Sequence, residues 1–407
     1  MSIPEQFERW QADWQARQGL ERTCSVRWLW NPQAEPLSNV TLREFNGALL
    51  DIRPATSAEE NACLPAILVP PLVNAHTHLE FSELAEPIEP ARPFPEWIRS
   101  VIRFRQQRGH NGDVCLGAGL NEYNSNGVGL VADIATTDIL PDHPAVECIR
   151  FREAIGLLPE RIQQQSAVAM SFLQQHQDSR NTGLSPHAPY TVHPDLMDQL
   201  MSIAEQFQVP VAMHLAETTE ELELLQSGTG PLAEFLRSMN LFDSRTFPGR
   251  RTVREFLEQL SRAPRALAVH GNYFSDEDLR FLQQHPQITT VYCPRTHAWF
   301  GHSPHPIGQM KQMGLNVVLG TDSRASNPDL SIWKELQHLI VHQPQIPTAD
   351  LLAMITTTTA TALGHPQVSQ PLIAGSRLSG TLITATSRLP FRSLLGHPET
   401  YPVLRIS

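Results

Sequence analysis

Two histidines separated by a single residue, His76 and His78, follow an apolar run that extends from Ile67 to Val73. On a β-strand, alternate side chains project from the same face, so both imidazoles would point to one side of the sheet. The rise of ~3.3 Å per residue separates them by about 6–7 Å, which allows two imidazoles to share one metal ion. Such pairs also occur in structural roles, so the prediction of a metal site depends on further ligands elsewhere in the chain.

Further candidate ligands follow later apolar segments, each of which is predicted to form a strand. His187 follows the fourth strand, and His214 and Glu217 lie at the end of the fifth. His270 ends the sixth strand, and Asp322 comes shortly after the eighth. The predicted strands cover residues 67–73, 128–133, 146–153, 182–186, 209–215, 266–270, 289–293 and 315–320. Predicted helices lie between them at residues 95–108, 159–175, 194–207, 220–226, 253–262, 276–284 and 307–313.

Eight strands that alternate with helices predict the α/β class and a (β/α)8 TIM-type barrel, a fold of roughly 250 residues. A doubly wound sheet is the alternative on pattern alone, but no Gly-x-Gly-x-x-Gly motif follows an early strand. In a barrel, the carboxyl ends of all strands surround one mouth. The histidines and carboxylates named above would therefore collect around a single site.

Both ends of the chain have a different pattern from the middle. Residues 4–19 predict an amphipathic helix with Trp10 and Trp14 on one face. Short strand-like pieces separated by turn residues follow up to residue 68 and recur at 372–389 and 401–406. We therefore expect a small β domain built from both chain ends, with residues 1–66 as its first part, 67–365 as the barrel and 366–407 as its second part.

The bulk composition narrows the classes of function. In 407 residues, 41% are hydrophobic and 18% charged, which is enough apolar material for a sizeable core. The formal net charge of −11 argues against nucleic acid or an anionic membrane as the main partner. Five scattered cysteines without a Cys-x-x-Cys pair, together with a polar N-terminus, predict a reduced, cytoplasmic protein. A small molecule is the expected partner, and a homodimer is left open with no face located for it.

Four segments in order along the chain carry a resemblance to a known family. They are Asn74-Ala75-His76-Thr77-His78-Leu79, His187-Ala188-Pro189-Tyr190-Thr191, His214-Leu215-Ala216-Glu217-Thr218 and Gly320-Thr321-Asp322-Ser323-Arg324-Ala325-Ser326-Asn327. With these segments the chain resembles the amidohydrolase superfamily, in its branch of metal-dependent deaminases and chlorohydrolases. The resemblance extends over nearly the whole chain.

The resemblance implies one divalent metal ion per chain. Zn²⁺ is the expected ion, and Fe²⁺ or Mn²⁺ would also be compatible with the donors. Many members of the superfamily instead hold two metals bridged by a carboxylated lysine at the end of strand four. The only lysines here are Lys311 and Lys334, which excludes such a bridge. The implied ligands are His76, His78, His214 and Asp322.

The resemblance also implies three catalytic roles. Glu217 would carry a proton from the attacking water to the ring nitrogen beside the attacked carbon. His270 would orient the nucleophile and stabilise the tetrahedral adduct, and Asp322 would assist protonation of the departing ammonia. A structural alternative for Glu217 is a carboxylate favoured by the dipole at a helix N-terminus.

Four residues are expected to contact the substrate: Glu80, His187, Arg295 and His297. Glu80 would accept hydrogen bonds from ribose hydroxyls. His187 would touch the substrate, with a strand-capping role as the alternative. Related deaminases carry Pro-x-Ser-Asn after strand seven, where this chain has Thr296 and His297.

This altered loop, together with residues 78–82 and 94–98, is similar to the 6-amino-6-deoxyfutalosine deaminases. Their substrate bears a benzoate carboxylate, for which Arg295 or Arg99 would be a partner. The expected function is therefore a metal-dependent hydrolytic deaminase of an aminated purine nucleoside. Hydrolysis of another C–N or C–Cl bond, in a guanine-, triazine- or cyclic-amide-type compound, is the alternative. A non-catalytic binding protein would be expected to have lost site residues, whereas every metal position and Glu217 is present.

Overall fold

The computed structural model describes residues 3–32, 34–108, 112–387 and 389–406, which form two sheets and their surrounding helices. The strands are β1 (Arg22–Leu29), β2 (Leu37–Phe45), β3 (Ala48–Pro54), β4 (Leu64–Val69), β5 (Leu72–Thr77), β6 (Val128–Ala135), β7 (Glu147–Ala154), β8 (Thr182–Pro186), β9 (Val211–Leu215), β10 (Ala266–His270), β11 (Ile288–Tyr292), β12 (Val317–Leu319), β13 (Gly380–Thr384) and β14 (Pro402–Ile406). The helices are α1 (Ile3–Ala16), α2 (Ser57–Glu60), α3 (Phe94–Arg108), α4 (Gly112–Ser125), α5 (Pro159–Gln175), α6 (Pro194–Phe207), α7 (Thr219–Ser227), α8 (Pro231–Ser238), α9 (Val253–Leu260), α10 (Asp276–Gln284), α11 (Pro294–Trp299), α12 (Ile307–Gln312), α13 (Ile332–His342), α14 (Thr348–Ala353), α15 (Thr357–Ala362) and α16 (Phe391–Leu395). Among the described helices, none combines the length and the apolar composition that crossing a bilayer requires.

Strands β5 to β12 form the barrel and follow one another in chain order around it. Each of these strands runs parallel to its neighbours. The ring closes between β12 and β5, where the N–H groups of Thr321 and Asp322 both donate to the carbonyl of His76 at 3.1 Å. The predicted (β/α)8 barrel is confirmed, and its closure joins two of the expected metal ligands directly.

The second sheet is built from both chain ends, as expected. Its strand order is β14-β13-β4-β1-β2-β3, so of the two C-terminal strands β13 pairs with β4 and β14 pairs with β13 at the edge of the sheet. Helix α1 packs on this sheet through the buried side chains of Phe7 and Trp14. Trp10 stacks on Trp14 with ring centroids 5.1 Å apart, which confirms the predicted apolar face of that helix.

The expected first barrel strand, residues 67–73, is in fact parts of two strands. Residues 67–69 belong to β4 and pair with β13 of the small sheet, and the barrel strand β5 begins only at Leu72. Pro70 and Pro71 lie between them and have no N–H group with which to continue a hydrogen-bonded ladder. The expected boundary after residue 66 therefore falls within β4, and the apolar run crosses from one sheet to the other.

Several predicted helices have the bounds seen in the structure, whereas helix α4 was not predicted. Helices α5, α6 and α10 have the predicted bounds. Helix α4 was missed because it contains Gly117 and Gly119 and has a weak apolar periodicity. A Cβ atom at Gly119 would lie 2.3 Å from the Ser82 hydroxyl, so this glycine lets α4 pack closely against the turn that follows His78.

Candidate active site and metal centre

Three histidines from two barrel strands lie together at the mouth of the barrel. His76 and His78 are on β5 and its C-terminal end, and His214 is on β9. The ring centroid of His76 lies 5.0 Å from that of His78 and 5.0 Å from that of His214. The Nε2 atoms of His78 and His214 are 3.2 Å apart, and all three side chains are buried. The predicted same-side projection of His76 and His78 is therefore observed.

Asp322 completes this donor set from the end of β12. Its backbone has a φ of 54°, which lies in the left-handed region and turns the side chain into the mouth. Oδ1 lies 3.5 Å from His76 Nε2 and 3.7 Å from His78 Nε2. Oδ2 accepts a hydrogen bond of 2.7 Å from the hydroxyl of Ser326, which in turn lies 3.0 Å from the hydroxyl of Thr296. Asp322 thus directs one oxygen to the imidazoles and has the other fixed.

The chemistry of these donors fits a single divalent metal ion. The candidate ligand atoms of His76, His78 and Asp322 lie within 4.8 Å of one another, as do those of His76, His214 and His270. Within the described part of the chain, neither ring nitrogen of His76 has a partner in hydrogen-bond geometry. Such buried polar atoms are costly unless something binds them.

The protonation of the imidazoles also favours metal binding. Burial is the main cause that lowers the pKa of His78 and of His214 well below the usual value, so both rings are neutral near pH 7. Nδ1 of His214 lies 2.9 Å from the carbonyl oxygen of His187, to which it donates. This contact leaves the Nε2 lone pair directed into the site, an arrangement usual for metal-binding histidines.

Glu217 lies beside the donor set, immediately after β9. Its carboxylate is buried, and Oε1 lies 3.6 Å from Nε2 of His270. Burial, with the charges of Asp322 and Glu221 in addition, raises the pKa of Glu217 well above its usual value. Such a carboxyl group can hold a proton near neutral pH and release it again.

Glu221 and Thr218, and not Glu217, serve the N-terminus of the adjacent helix. The Thr218 hydroxyl accepts from the Glu221 N–H at 3.1 Å at the start of α7. The Glu221 carboxylate accepts from the N–H groups of Ala216 and Glu217, at 2.9 and 3.0 Å. These bonds fix the backbone that carries Glu217, and they assign the capping of α7 to Thr218 and Glu221.

A cavity of about 310 Å³ opens from these residues. This volume is at the lower end of the range of about 300–1,000 Å³ typical of small-molecule sites. The inner end consists of His78, His214, Glu217, His270 and Asp322. Apolar side chains line most of the remaining wall; they are Phe81, Phe94, Trp97, Ile98, Val101, Ile102, Ile155, Leu157, Leu158, Phe235, Leu236, Met239 and Leu241.

Two of the four expected substrate contacts, His187 and Glu80, lie at or next to this cavity. His187 lines the wall and its Nδ1 is 2.8 Å from the Thr191 hydroxyl. The buried carboxylate of Glu80 is paired at 2.5 Å with Arg105, and Arg105 itself lines the cavity. The same guanidinium lies 3.7 Å from Glu153, so its charge is balanced within the protein.

The structure does not bring Arg295 and His297 to the cavity. Pro294 begins α11 directly after β11, and the first turn of that helix carries the Arg295 side chain to Asp329, at 2.7 Å. Nε2 of His297 is 2.9 Å from the carbonyl oxygen of Ser303. Arg99 does not line the cavity; its guanidinium lies over the ring of Phe235, which does, and donates to the Ser238 hydroxyl at 2.6 Å.

Sequence reasoning missed Arg161 and Ser326. Arg161 lines the outer part of the cavity from the first turn of α5. Its position was available from the pattern, because a helix that follows a barrel strand begins at the mouth. Ser326 lies in the segment after Asp322, but its hydrogen bond to that carboxylate depends on how the segment turns back, which no spacing rule gives.

Residues 67–369 match the amidohydrolase family, which covers most of the chain, and the protein belongs to that family. The barrel, the donor set and this match define a hydrolase that acts on carbon–nitrogen bonds.

Two curated relatives and one solved structure indicate which kinds of enzyme within this family the chain is similar to. The chain is 26% identical over 321 residues to a 5-methylthioadenosine/S-adenosylhomocysteine deaminase of Carboxydothermus hydrogenoformans, covering 74% of this chain and 69% of the relative. It is 29% identical over 296 residues to an aminodeoxyfutalosine deaminase of Deinococcus radiodurans, covering 69% of each. The crystal structure of Helicobacter pylori aminofutalosine deaminase with methylthio-coformycin matches with a TM-score of 0.75 at 19% identity, over 95% of this chain and 100% of that one.

Proposed function

We propose that this protein is a metal-dependent hydrolytic deaminase that releases ammonia from an aminated purine nucleoside. The observation that carries the proposal is the placement of a buried carboxyl group, Glu217, next to His270 and beside a donor set of three imidazoles and one carboxylate. Two curated relatives named as deaminases of adenine-containing nucleosides support the same reaction class.

One divalent ion, Zn²⁺ first among the candidates, would be held by the donor set. Three nitrogens and one oxygen suit zinc, and Fe²⁺ or Mn²⁺ would also be accommodated. An ion bound there lowers the pKa of water, so that hydroxide becomes available near pH 7. The proposed ligands are His76, His78, His214 and Asp322.

The side chains of this protein would manage the protons of the reaction. Glu217 accepts a proton from the attacking water and transfers it to the ring nitrogen next to the attacked carbon. His270 directs its Nε2 to the oxygen of the forming C–O bond and stabilises the adduct. The C–N bond to the exocyclic amine then breaks, and Asp322 assists the proton transfer with which ammonia leaves. Water and the amine are thereby converted to the oxo product and ammonia.

The outer part of the cavity suits a bulky apolar substituent with an anionic end. Its wall is mostly apolar, and Arg161 is the exposed cation at its outer part. The guanidinium of Arg161 bonds to the neutral Gln164 side chain at 2.7 Å, and among the described residues no carboxylate is paired with it. A carboxylate on the 5′ substituent of the nucleoside would find a charge-assisted partner there. The benzoate of 6-amino-6-deoxyfutalosine has this chemistry, and we propose that compound as the leading substrate.

Ammonia release from a panel of nucleosides, with metal content measured on the same sample, tests the proposed function. The panel contains 6-amino-6-deoxyfutalosine, methylthioadenosine, adenosylhomocysteine and adenosine. We expect turnover of at least one compound by protein that holds one metal ion per chain, with the highest kcat/KM for the carboxylate-bearing nucleoside. If a metal-loaded sample releases no ammonia from any compound of the panel, the hypothesis of a nucleoside substrate is rejected, and hydrolysis of another C–N bond is favoured.

The variant Arg161→Met tests the proposed carboxylate partner. We expect kcat/KM for 6-amino-6-deoxyfutalosine to fall by about 10- to 100-fold, because a hydrogen bond to a charged group contributes about 1.5–3 kcal/mol. The value for methylthioadenosine, which has no carboxylate, should change by less than about twofold. Arg245→Met, which removes an exposed arginine paired with Asp243 outside the cavity, is the matched control. Equal losses on both substrates would remove Arg161 from this role.

A further inference from the structure

The catalytic imidazole of His270 is presented by an unusual backbone turn. His270 ends β10 with a φ of 73°, in the left-handed region that residues other than glycine rarely adopt. Gly271 follows with a φ of 60°, and its N–H donates to the carbonyl of Leu215. The turn places Nε2 of His270 3.6 Å from Glu217. A conformation of this kind persists only where the surroundings hold it.

His305 contacts this turn from a different part of the chain. Its Nε2 lies 3.0 Å from the carbonyl oxygen of His270. A carbonyl oxygen can only accept a hydrogen bond, so Nε2 of His305 carries the proton and donates. The ring is 5% exposed and stacks on Tyr292 with centroids 3.9 Å apart. Burial lowers the pKa of His305 to about 3, which is consistent with a neutral ring in this tautomer.

The segment that carries His305 is restricted on both sides. Pro304 precedes the histidine and Pro306 follows it, so the backbone on either side has few accessible conformations. Within the described residues, Nδ1 of His305 has no hydrogen-bond partner, and the bond to the His270 carbonyl is the one that the ring makes. An apolar ring would pack on Tyr292 without burying an unpaired nitrogen. The polar ring is therefore explained by its contact with His270.

We propose that His305 is a positioning residue, which holds the left-handed turn at His270 and thereby aims the His270 imidazole at the reaction centre next to Glu217. This role rests on the proposed function, because the part that His270 plays in the reaction is taken from the proposed deamination. The contact itself does not depend on the identity of the substrate. His305 touches neither the cavity nor the proposed metal ligands.

Two variants separate the hydrogen bond from the ring. His305→Phe keeps the stacking on Tyr292 and removes the donor, whereas His305→Gln retains an N–H donor at a similar distance from the backbone. We expect His305→Phe to lower kcat by about 10- to 100-fold, because a displacement of a catalytic group by about 1 Å costs that much. KM should change by less than twofold, and metal content should stay at one ion per chain. His305→Gln should recover most of the lost kcat.

Tyr273→Phe is the matched control, since it removes a neighbouring hydrogen bond, from the Tyr273 hydroxyl to His302 at 3.1 Å, and leaves the His270 carbonyl untouched. We expect it to retain native kcat. If His305→Phe does not fold, His305→Asn, whose amide is too short to reach the carbonyl, replaces it. Native kcat in the donor-free variant, or equal losses in the phenylalanine and glutamine variants, would overturn the proposal.

Crystal structures of the native protein and of the two variants provide a readout that does not depend on activity. We expect the separation of His270 Nε2 from Glu217 to be retained in His305→Gln and lost in His305→Phe. If the native protein deaminates no nucleoside, the proposed function fails while these structures still test the positioning role. An unmoved His270 in His305→Phe would overturn it whatever the substrate.

Discussion

Glu217→Gln is expected to lower kcat by about 10²–10⁴-fold, the usual contribution of general acid–base catalysis, while the metal content stays at one ion per chain. The substitution keeps the volume and the polarity of the side chain but removes its ability to take up a proton. It also removes a buried carboxylate that lies close to Asp322 and Glu221, whose charges raise its pKa. We therefore expect the melting temperature to stay level or to rise, because the neutral amide is not repelled by these two carboxylates. The loss of activity should be confined to proton transfer.

The neighbouring Glu220→Gln is the matched control for this experiment. Glu220 lies on the same segment, is half-buried and outside the cavity, and makes its hydrogen bond with Thr219. It should retain native metal content and a nearly native kcat, because its charge is the smallest of those that raise the pKa of Glu217. Three measurements on the same samples are needed: steady-state ammonia release, metal analysis and thermal unfolding. Retained turnover in Glu217→Gln would remove this residue from its assigned role, and loss of metal would mean that Glu217 helps to bind the ion.

The parts of the site that the sequence predicted are those that barrel geometry determines. His76 and His78 are two residues apart on one strand and therefore project from the same face. His214 and His270 lie at the ends of two other strands, so the side chains of all four histidines must approach one another once the barrel closes. Asp322 follows β12, whose end is joined to His76 by the closing hydrogen bonds. The type and the position of these residues are therefore enough to bring them together.

The errors lie where a side chain's direction depends on a local turn. Arg295 follows strand seven at a place that could face the mouth, but the helix that Pro294 begins carries it to Asp329. The prediction of one strand at 67–73 took no account of Pro70 and Pro71, which separate β4 of one sheet from β5 of the other. The contact of His305 with the His270 carbonyl joins residues 35 positions apart, and no periodicity indicates such a pair.

Removal of the metal is expected to abolish activity, and addition of one equivalent of Zn²⁺ per chain should restore it. A chelator that leaves less than about a tenth of the metal should leave no more than that fraction of the turnover, because the ion supplies the nucleophile. The melting temperature should fall at the same time, since a ligand that binds only the folded state stabilises it by RT ln(1 + [L]/Kd). Full activity in metal-free protein would contradict the proposed chemistry, and a requirement for two ions per chain would contradict the single site.

Two alanine variants of adjacent histidines locate the ion within this cluster. The ring centroids of His187 and His214 are 4.9 Å apart. Nε2 of His214 lies 3.2 Å from Nε2 of His78, and His214 shares a candidate metal-binding group with His76, whereas Nδ1 of His187 lies 2.8 Å from the Thr191 hydroxyl. His214→Ala should bind metal too weakly to retain it through dialysis, and added zinc should not restore turnover. His187→Ala should keep one ion per chain and change only how the substrate is bound. The reverse result would move the centre towards Glu153, whose carboxylate lies 3.9 Å from His187, because that carboxylate would then be the acidic ligand within reach.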